Sequence, residues 1–175
     1  MTRIGLISDT HGYLDESVAM HFAHCDEIWH AGDFGNLELA QKLLNRPLSP
    51  EGRLYAPPII RGVYGNIDGY DIRSNYPEKL SWDCEGVRVF MTHIGGYPKR
   101  YAPGIRQEIV RNKARLFISG HSHILKIIYD EEINCLHINP GAAGKQGWHK
   151  VRTLVRFTIA GSEIKECNVI ELGGR

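Results

Sequence analysis

The sequence predicts an α/β protein whose first half is a parallel sheet with helices packed on it. Three observations carry this. The first third alternates short apolar runs with amphipathic segments in the order β-α-β-α-β. The rest holds three pairs of apolar runs, each pair flanking a turn signal. Polar residues able to bind metal recur where apolar runs stop, most of them beside a glycine.

Each element has its own warrant. Arg3–Ile7 is short and apolar and runs into Ser8-Asp9-Thr10-His11-Gly12, as a buried strand entering a loop does. Leu14, Val18 and Phe22 recur at four-residue spacing and predict an amphipathic helix over 14–24. Glu27–His30 reads as a second strand, ending in Ala31-Gly32-Asp33. Leu37, Ala40, Leu43 and Leu44 mark a second helix. Residues 45–58 hold four prolines and one glycine and predict a loop. Ile59–Val63 is a third strand, leading into Tyr64-Gly65-Asn66. Further on, Lys79–Cys84 and Val87–Thr92 flank Glu85-Gly86, a hairpin signal. Gly104–Lys113 suits a helix and Arg115–Ser119 a strand. Ile124–Tyr129 with Ile133–Ile138, and Thr153–Ile159 with Glu163–Ile170, form two more hairpins. The suspicious residues are spread over both halves, so a single domain over 1–175 is expected.

Composition narrows the function classes. Lys and Arg total 21 against 20 acidic residues, which leaves no polybasic field for nucleic acid or an anionic membrane. Cys25, Cys84, Cys135 and Cys167 lie far apart with no Cys-x-x-Cys, so reduced core thiols are expected rather than disulfides or a thiolate zinc site. The N-terminal apolar run is too short for a signal peptide, and no run approaches the roughly 20 residues that span a bilayer. A soluble, cytoplasmic protein is expected, with self-association left open.

The junctions carry the chemistry. Asp9 and His11 follow the first strand, Asp33 the second, Asn66 the third, His93 the strand 87–92, and His121 with His123 the strand 115–119. In open α/β sheets, ligands bind outside the carboxyl ends of strands, so seven such residues at strand ends predict one site. A set of Asp, Asn and His without thiolate suits Mn²⁺, Fe, Zn²⁺ or Ni²⁺ rather than Ca²⁺. Seven ligands exceed one tetrahedral zinc and suit two cations, the usual clamp for displacement at phosphorus.

With these residues in view, the sequence resembles the calcineurin-like metallophosphoesterase superfamily, whose motifs run D-x-H, G-D, G-N, H and G-H-x-H. They stand here as Asp9-Thr10-His11, Gly32-Asp33, Gly65-Asn66, His93 and Gly120-His121-Ser122-His123. The short length and Ile138-Asn139-Pro140-Gly141 are similar to its small bacterial and archaeal phosphodiesterase branch. The resemblance implies a four-layer α/β/β/α sandwich of two mixed β-sheets flanked by helices. It implies that Asp9, His11 and His123 hold one divalent ion and Asn66, His93 and His121 the other, with Asp33 bridging and Mn²⁺ the first choice of metal. Asp33, Asn66 and His93 then serve catalysis as well as ligation, and a metal-bridging hydroxide attacks the phosphorus of a phosphate-ester substrate, a phosphodiester above all.

Many family members carry a histidine after the asparagine that protonates the leaving oxygen or contacts the phosphate; here Ile67 stands there, followed by Asp68. Asp68 is a candidate replacement and also a plain turn residue. Asn36, Asp68 and His149 are the expected substrate contacts, and the aromatic, charged run Tyr97–Tyr101 is either a substrate loop or a solvated one. His30 is expected to pack or support rather than ligate. Two alternatives remain: a phosphomonoesterase, and a protein-binding scaffold resembling the retromer subunit of this fold. That subunit departs from the motif at key histidines, whereas all seven ligands stand here.

Overall fold

The structure, a computed structural model, describes residues 1–49, 51–52 and 55–175. Part of the expected loop over 45–58 therefore lies outside the described residues. The elements run β1 (Thr2–Ile7), α1 (Ser17–His21), β2 (Glu27–His30), α2 (Leu37–Lys42), β3 (Ile59–Gly62), α3 (Tyr70–Arg73), β4 (Lys79–Cys84) and β5 (Val87–Thr92). They continue β6 (Gly96–Tyr97), β7 (Arg100–Tyr101), α4 (Ile105–Arg111), β8 (Leu116–Ile118), β9 (Leu125–Asp130), β10 (Cys135–Pro140), β11 (Val151–Ala160) and β12 (Glu163–Gly174).

Two five-stranded mixed sheets result, in the orders β12-β11-β1-β2-β3 and β4-β5-β8-β10-β9. In each, three parallel strands form one side or the centre: β1, β2 and β3 in the first sheet, β5, β8 and β10 in the second. Hairpin partners add the antiparallel strands β4, β9 and β12, and β11 lies antiparallel to β1. Register decides where the loops emerge. Ile7 pairs with His30 and His30 with Gly62; Met91 pairs with Ile118 and Ile118 with Ile138. The carboxyl ends of each parallel trio are thus level, and the polar residues that follow start from one rim.

Three apolar clusters define the layers. Ile4, Leu6 and Trp29 of the first sheet meet Val89, Met91 and Ile118 of the second. On the outer face of the first sheet, Val18, Phe22, Leu39 and Ile72 of the helical side cover Ile7, Ile28 and Leu154. On the outer face of the second, Ile105 and Ile109 of α4 cover Phe90 and Phe117. The arrangement is the expected α/β/β/α sandwich. Burying side chains such as Trp29 and Phe117, both at 0% exposure, stabilises by about 1.5–3 kcal/mol each.

Some elements differ from expectation. The helix predicted over 14–24 is five residues long. Asp15 accepts from the Ser17 amide and hydroxyl, which sets the start, and Cys25 N–H turns back onto Phe22 O before β2. Leu14, Val18 and Phe22 still face one core, so the periodicity marked a buried face longer than its helix. Helix α3 and the small β6–β7 ribbon, of four residues and two residues per strand, were missed because they are too short for a periodic signal. Of the four cysteines, Cys25, Cys84 and Cys135 are buried free thiols as expected, but Cys167 is exposed on β12. Among the described residues, no helix is long and apolar enough to cross a membrane.

Candidate metal centre

The loops that leave the level strand ends turn sharply. Asp9, His11, Asp33, His121 and His123 all have φ between 48° and 66°. Non-glycine residues enter this left-handed region uncommonly, with Asp and His among those enriched there. Such strain persists where surrounding structure fixes it, and it clusters at functional sites. Backbone bonds supply that hold here: Asp9 N–H donates to Gly32 O at 3.0 Å, His11 N–H to Asp33 O at 3.0 Å and Gly120 N–H to His93 O at 3.0 Å. Glycines allow the loops to close. A Cβ on Gly65 would strike the Asp33 carboxylate, and one on Gly120 would meet Ser8 Oγ and sit 2.9 Å from Asp9 Oδ2.

The side chains converge. His11 Nε2 lies 3.3 Å from His123 Nε2 and 3.7 Å from Asp33 Oδ2. His93 Nε2 lies 3.1 Å from Asn66 Oδ1, 3.3 Å from Asp33 Oδ2 and 3.9 Å from Asp9 Oδ1. His123 Nε2 is 3.3 Å from Asp9 Oδ1. Two sets of ligand atoms emerge, Asp9–His11–His123 and Asp9–Asp33–His93, each mutually within 4.8 Å. The expected first set is therefore gathered. In the second half, Asp9 as well as Asp33 lies between the two sets. His121 falls outside both: its ring stands 5.3 Å from that of His93, and its backbone N–H donates to both Asp9 oxygens.

The donor chemistry fits divalent cations. His93 Nδ1 lies 2.8 Å from Ala31 O, and a carbonyl only accepts, so that nitrogen carries the proton. Its Nε2 faces Asn66 Oδ1 and Asp33 Oδ2, donating to them when the ring is protonated and presenting a lone pair to the same space when it is neutral. A divalent cation would take the place of that proton, and the carbonyl that orients the imidazole is the usual support of a metal-bound histidine. Asp9 and Asp33 are 0% and 2% exposed, a costly burial for two carboxylates without counter-charge. Burial opposes the charge on Asp33, but the hydrogen bond and charge of His93 hold its pKa below the ordinary carboxylate value. For His93 burial acts downward, yet Asp33 and Asp9 hold its pKa above the usual histidine value. A carboxylate-rich pocket that favours positive charge at His93 favours a metal cation there too.

Supporting residues without a sequence signal appear around these. Ser8 Oγ donates to Asp9 Oδ2 at 2.7 Å, and Ile67 N–H donates to Asp33 Oδ1 at 3.1 Å. His30 packs as expected, stacked on Phe34 with centroids 3.6 Å apart and with Nε2 at 2.9 Å from Thr10 Oγ1.

The three expected substrate contacts fare differently. Asp68 is 3% exposed, and its carboxylate accepts from the N–H groups of Phe34, Gly35 and Gly65 at 2.7–3.2 Å. This is a correction: the group clasps the loop after β2 to the loop after β3 and has no open face for substrate. Asn36 caps α2, its Oδ1 accepting from Leu39 N–H at 2.9 Å, beside Gly12. His149 packs its ring against His123 at 5.2 Å between centroids and donates from Nε2 to Gly144 O, leaving Nδ1 without a partner. In the run Tyr97–Tyr101, Tyr101 donates its hydroxyl to Asp130 and Tyr97 lies under Lys126 Nζ at 4.2 Å.

A groove of about 420 Å³ opens from Asn66 and His93. Tyr64, Arg73, Lys79 and Ile94 are among its walls.

Comparison with known proteins gives the family. The calcineurin-like phosphoesterase superfamily domain matches residues 2–162. A probable metallophosphoesterase from Methanothermobacter thermautotrophicus is 30% identical over 145 residues, covering 79% of this chain and 76% of that protein. A structure described as that of a novel archaeal phosphodiesterase superposes with a TM-score of 0.73 at 22% identity, over 97% of this chain and 99% of the other. Chaetomium thermophilum Vps29 superposes with a TM-score of 0.73 at 13% identity, over 98% and 97% of the two chains, a likeness of fold. The motif-bearing loops, the sandwich that levels them and the family match together make this chain a member of the calcineurin-like phosphoesterase superfamily.

Proposed function

We propose that the protein is a metal-dependent phosphodiesterase with a dinuclear centre. One observation carries the reading: carboxylates and imidazoles from loops of both sheets crowd within 4 Å of one another around two buried carboxylates. Asp9, His11 and His123 would hold one ion and Asn66 and His93 the other, with Asp33 shared between them, and His121, whose ring stands 5.3 Å from that of His93, would complete the second set. Mn²⁺ is the first choice for this mixed oxygen and nitrogen set, with Fe, Zn²⁺ and Ni²⁺ as alternatives. Two such ions, when bound, lower the pKa of water toward neutrality and screen charge on phosphate oxygens.

The chain's own residues do the rest. Ala31 O holds the His93 ring in the tautomer that presents Nε2. Ser8 and the His121 amide hold the Asp9 carboxylate, and the Ile67 amide holds that of Asp33. The strained loops keep these groups from relaxing apart. No imidazole follows Asn66, so proton delivery to the leaving oxygen falls to water, and esters with good leaving groups are favoured. A diester substrate fits a site that opens into a groove able to hold a second ester arm.

The scaffold reading has the fold in its favour and the full set of seven ligands against it. A panel of chromogenic mono- and diesters, each with Mn²⁺, Ni²⁺, Zn²⁺ and Mg²⁺, tests the proposal. Metal-dependent turnover with diesters preferred supports it; no turnover with any metal overturns it in favour of a scaffold, and a monoester preference in favour of a phosphatase. We place the protein in the cytoplasm, where the reduced state of its free thiols is maintained.

A further inference from the structure

The groove beside Asn66 and His93 has an uneven charge distribution. Lys79, one of its two cations, is neutralised by Glu108 at 2.7 Å. Arg73, the other, is in no ion pair among the described residues. Its guanidinium is fixed by main-chain oxygens: Nε donates to Asp68 O at 2.7 Å, and Nη2 to Asn66 O at 3.4 Å and Gly65 O at 3.5 Å. It lies 4.5 Å from the centroid of the Tyr64 ring. Among the described residues, Nη1 and its two N–H groups have no protein partner. Anchored through Nε and Nη2 and stacked on Tyr64, this cation is pre-organised and keeps the N–H groups of Nη1 for a charge-assisted hydrogen bond to carboxylate or phosphate. Because it leans on the Asn66 carbonyl, its place in the groove relative to the metal ligands is set by the same loop.

We propose that Arg73 is a specificity determinant: the ester arm that enters this groove carries a second anionic group, a carboxylate or a phosphate, which the Arg73 guanidinium binds. The proposal rests on the phosphodiesterase reading for the orientation of the arm. Glu78, on the same wall with its carboxylate accepting the Tyr64 hydroxyl at 3.3 Å, opposes such an arm and bounds where the anion sits. The apolar wall of Ile94, Pro103 and Ile105 covers the carbon skeleton that joins the two anions.

The test compares matched ligands on the Mn²⁺-loaded protein by calorimetry: propyl phosphate, 2-carboxyethyl phosphate and ethylene glycol bisphosphate. The wild type should bind one or both of the anionic-arm ligands roughly ten- to a hundredfold tighter than propyl phosphate, the range for a hydrogen bond to a charged group. Which of the two gains more identifies carboxylate or phosphate as the source. Arg73→Ala should bring that ratio close to one, Arg73→Lys should retain part of it, and Glu78→Gln should raise it. A ratio near one in the wild type overturns the proposal. So does a ratio preserved in Arg73→Ala while all ligands weaken alike, which would make Arg73 a brace for the loop only. If Arg73→Ala does not fold, Arg73→Lys and Glu78→Gln decide by the same ratio. Turnover of 4-nitrophenyl propyl phosphate and 4-nitrophenyl 2-carboxyethyl phosphate separates the two readings. Absence of turnover with the binding ratio intact sinks the phosphodiesterase reading and leaves the anion site standing.

Discussion

His11 and His123, 112 residues apart in the chain, bring their Nε2 atoms to 3.3 Å. The first leaves the end of β1 in one sheet and the second follows β8 in the other, so this contact measures how well the two sheets align their rims. Asp9 lies 3.3 Å from His123 Nε2 and Asp33 3.7 Å from His11 Nε2.

Asp33→Asn keeps the shape of that site and removes the charge shared by its halves. We predict loss of turnover by at least about 100-fold, since a buried charge in contact with cations is worth several kcal/mol. Bound metal should fall with it. Elemental analysis of the purified variant checks this, and near-normal metal content with retained activity would refute the bridging role.

Ile67 makes the leaving group matter. General acid help contributes typically about 10²–10⁴-fold, and the buried Asp68 carboxylate, tied to three amides, is not free to supply it. Rates should therefore fall steeply as leaving-group pKa rises, and Ile67→His should flatten that slope. A linear free-energy plot for both proteins is the check. A shallow slope in the wild type would point to another donor, with His149 the next group to test.

Asp68 offers a stability prediction instead. Asp68→Ala leaves three amide donors of Phe34, Gly35 and Gly65 without their acceptor, at about 1–3 kcal/mol for each donor that water cannot reach. The melting temperature should drop, and metal affinity should weaken because Asp33 and Asn66 sit on the two loops it joins. Thermal unfolding with and without Mn²⁺ reads both. An unchanged melting temperature would mean that water replaces the clasp.

How much of this was legible depends on the kind of signal. Strand β2 and the hairpin β4–β5 fall where the sequence placed them, because apolar runs bounded by Gly or by Glu85-Gly86 fix both ends. The cluster at the rim was legible because metal-capable residues after strands are few and ordered, although His121 stands outside both sets of ligand atoms. What escaped were relations between main-chain groups: Asp68 meeting amides 33 and 34 residues earlier, Ala31 O meeting His93, Arg73 held by carbonyls. A carbonyl has no residue-type signature, so no spacing announces it. The pattern Leu14, Val18, Phe22 erred in the other way: it reported a buried face, while the Asp15 turn decided the helix length.

His137 supplies a pH prediction outside the two sets of candidate ligands. It is 0% exposed on β10, accepts or donates at Ser119 Oγ at 3.0 Å, and leaves Nδ1 without a partner. Burial, with a smaller push from Lys126, lowers its pKa to about 4. The unfolded chain, with a value of about 6.5, takes up this proton first. The stability held by the neutral ring is complete above about pH 6.5 and is lost as pH falls toward about 4, by up to about 3 kcal/mol. His137→Phe, which suits the neighbouring Phe117 ring, should flatten that part of the curve. Urea unfolding of both proteins between these pH values is the measurement; parallel curves would mean that His137 is solvated.

On the proposed function, seven side chains from two sheets would form one dinuclear centre that cleaves phosphodiesters. Titrating metal-stripped protein with Mn²⁺ while following hydrolysis of bis(4-nitrophenyl) phosphate tests it most directly. The account predicts that activity rises until about two ions are bound per chain, the complement of a two-metal phosphoesterase site. Saturation at one ion, or two ions bound with no turnover, would contradict it.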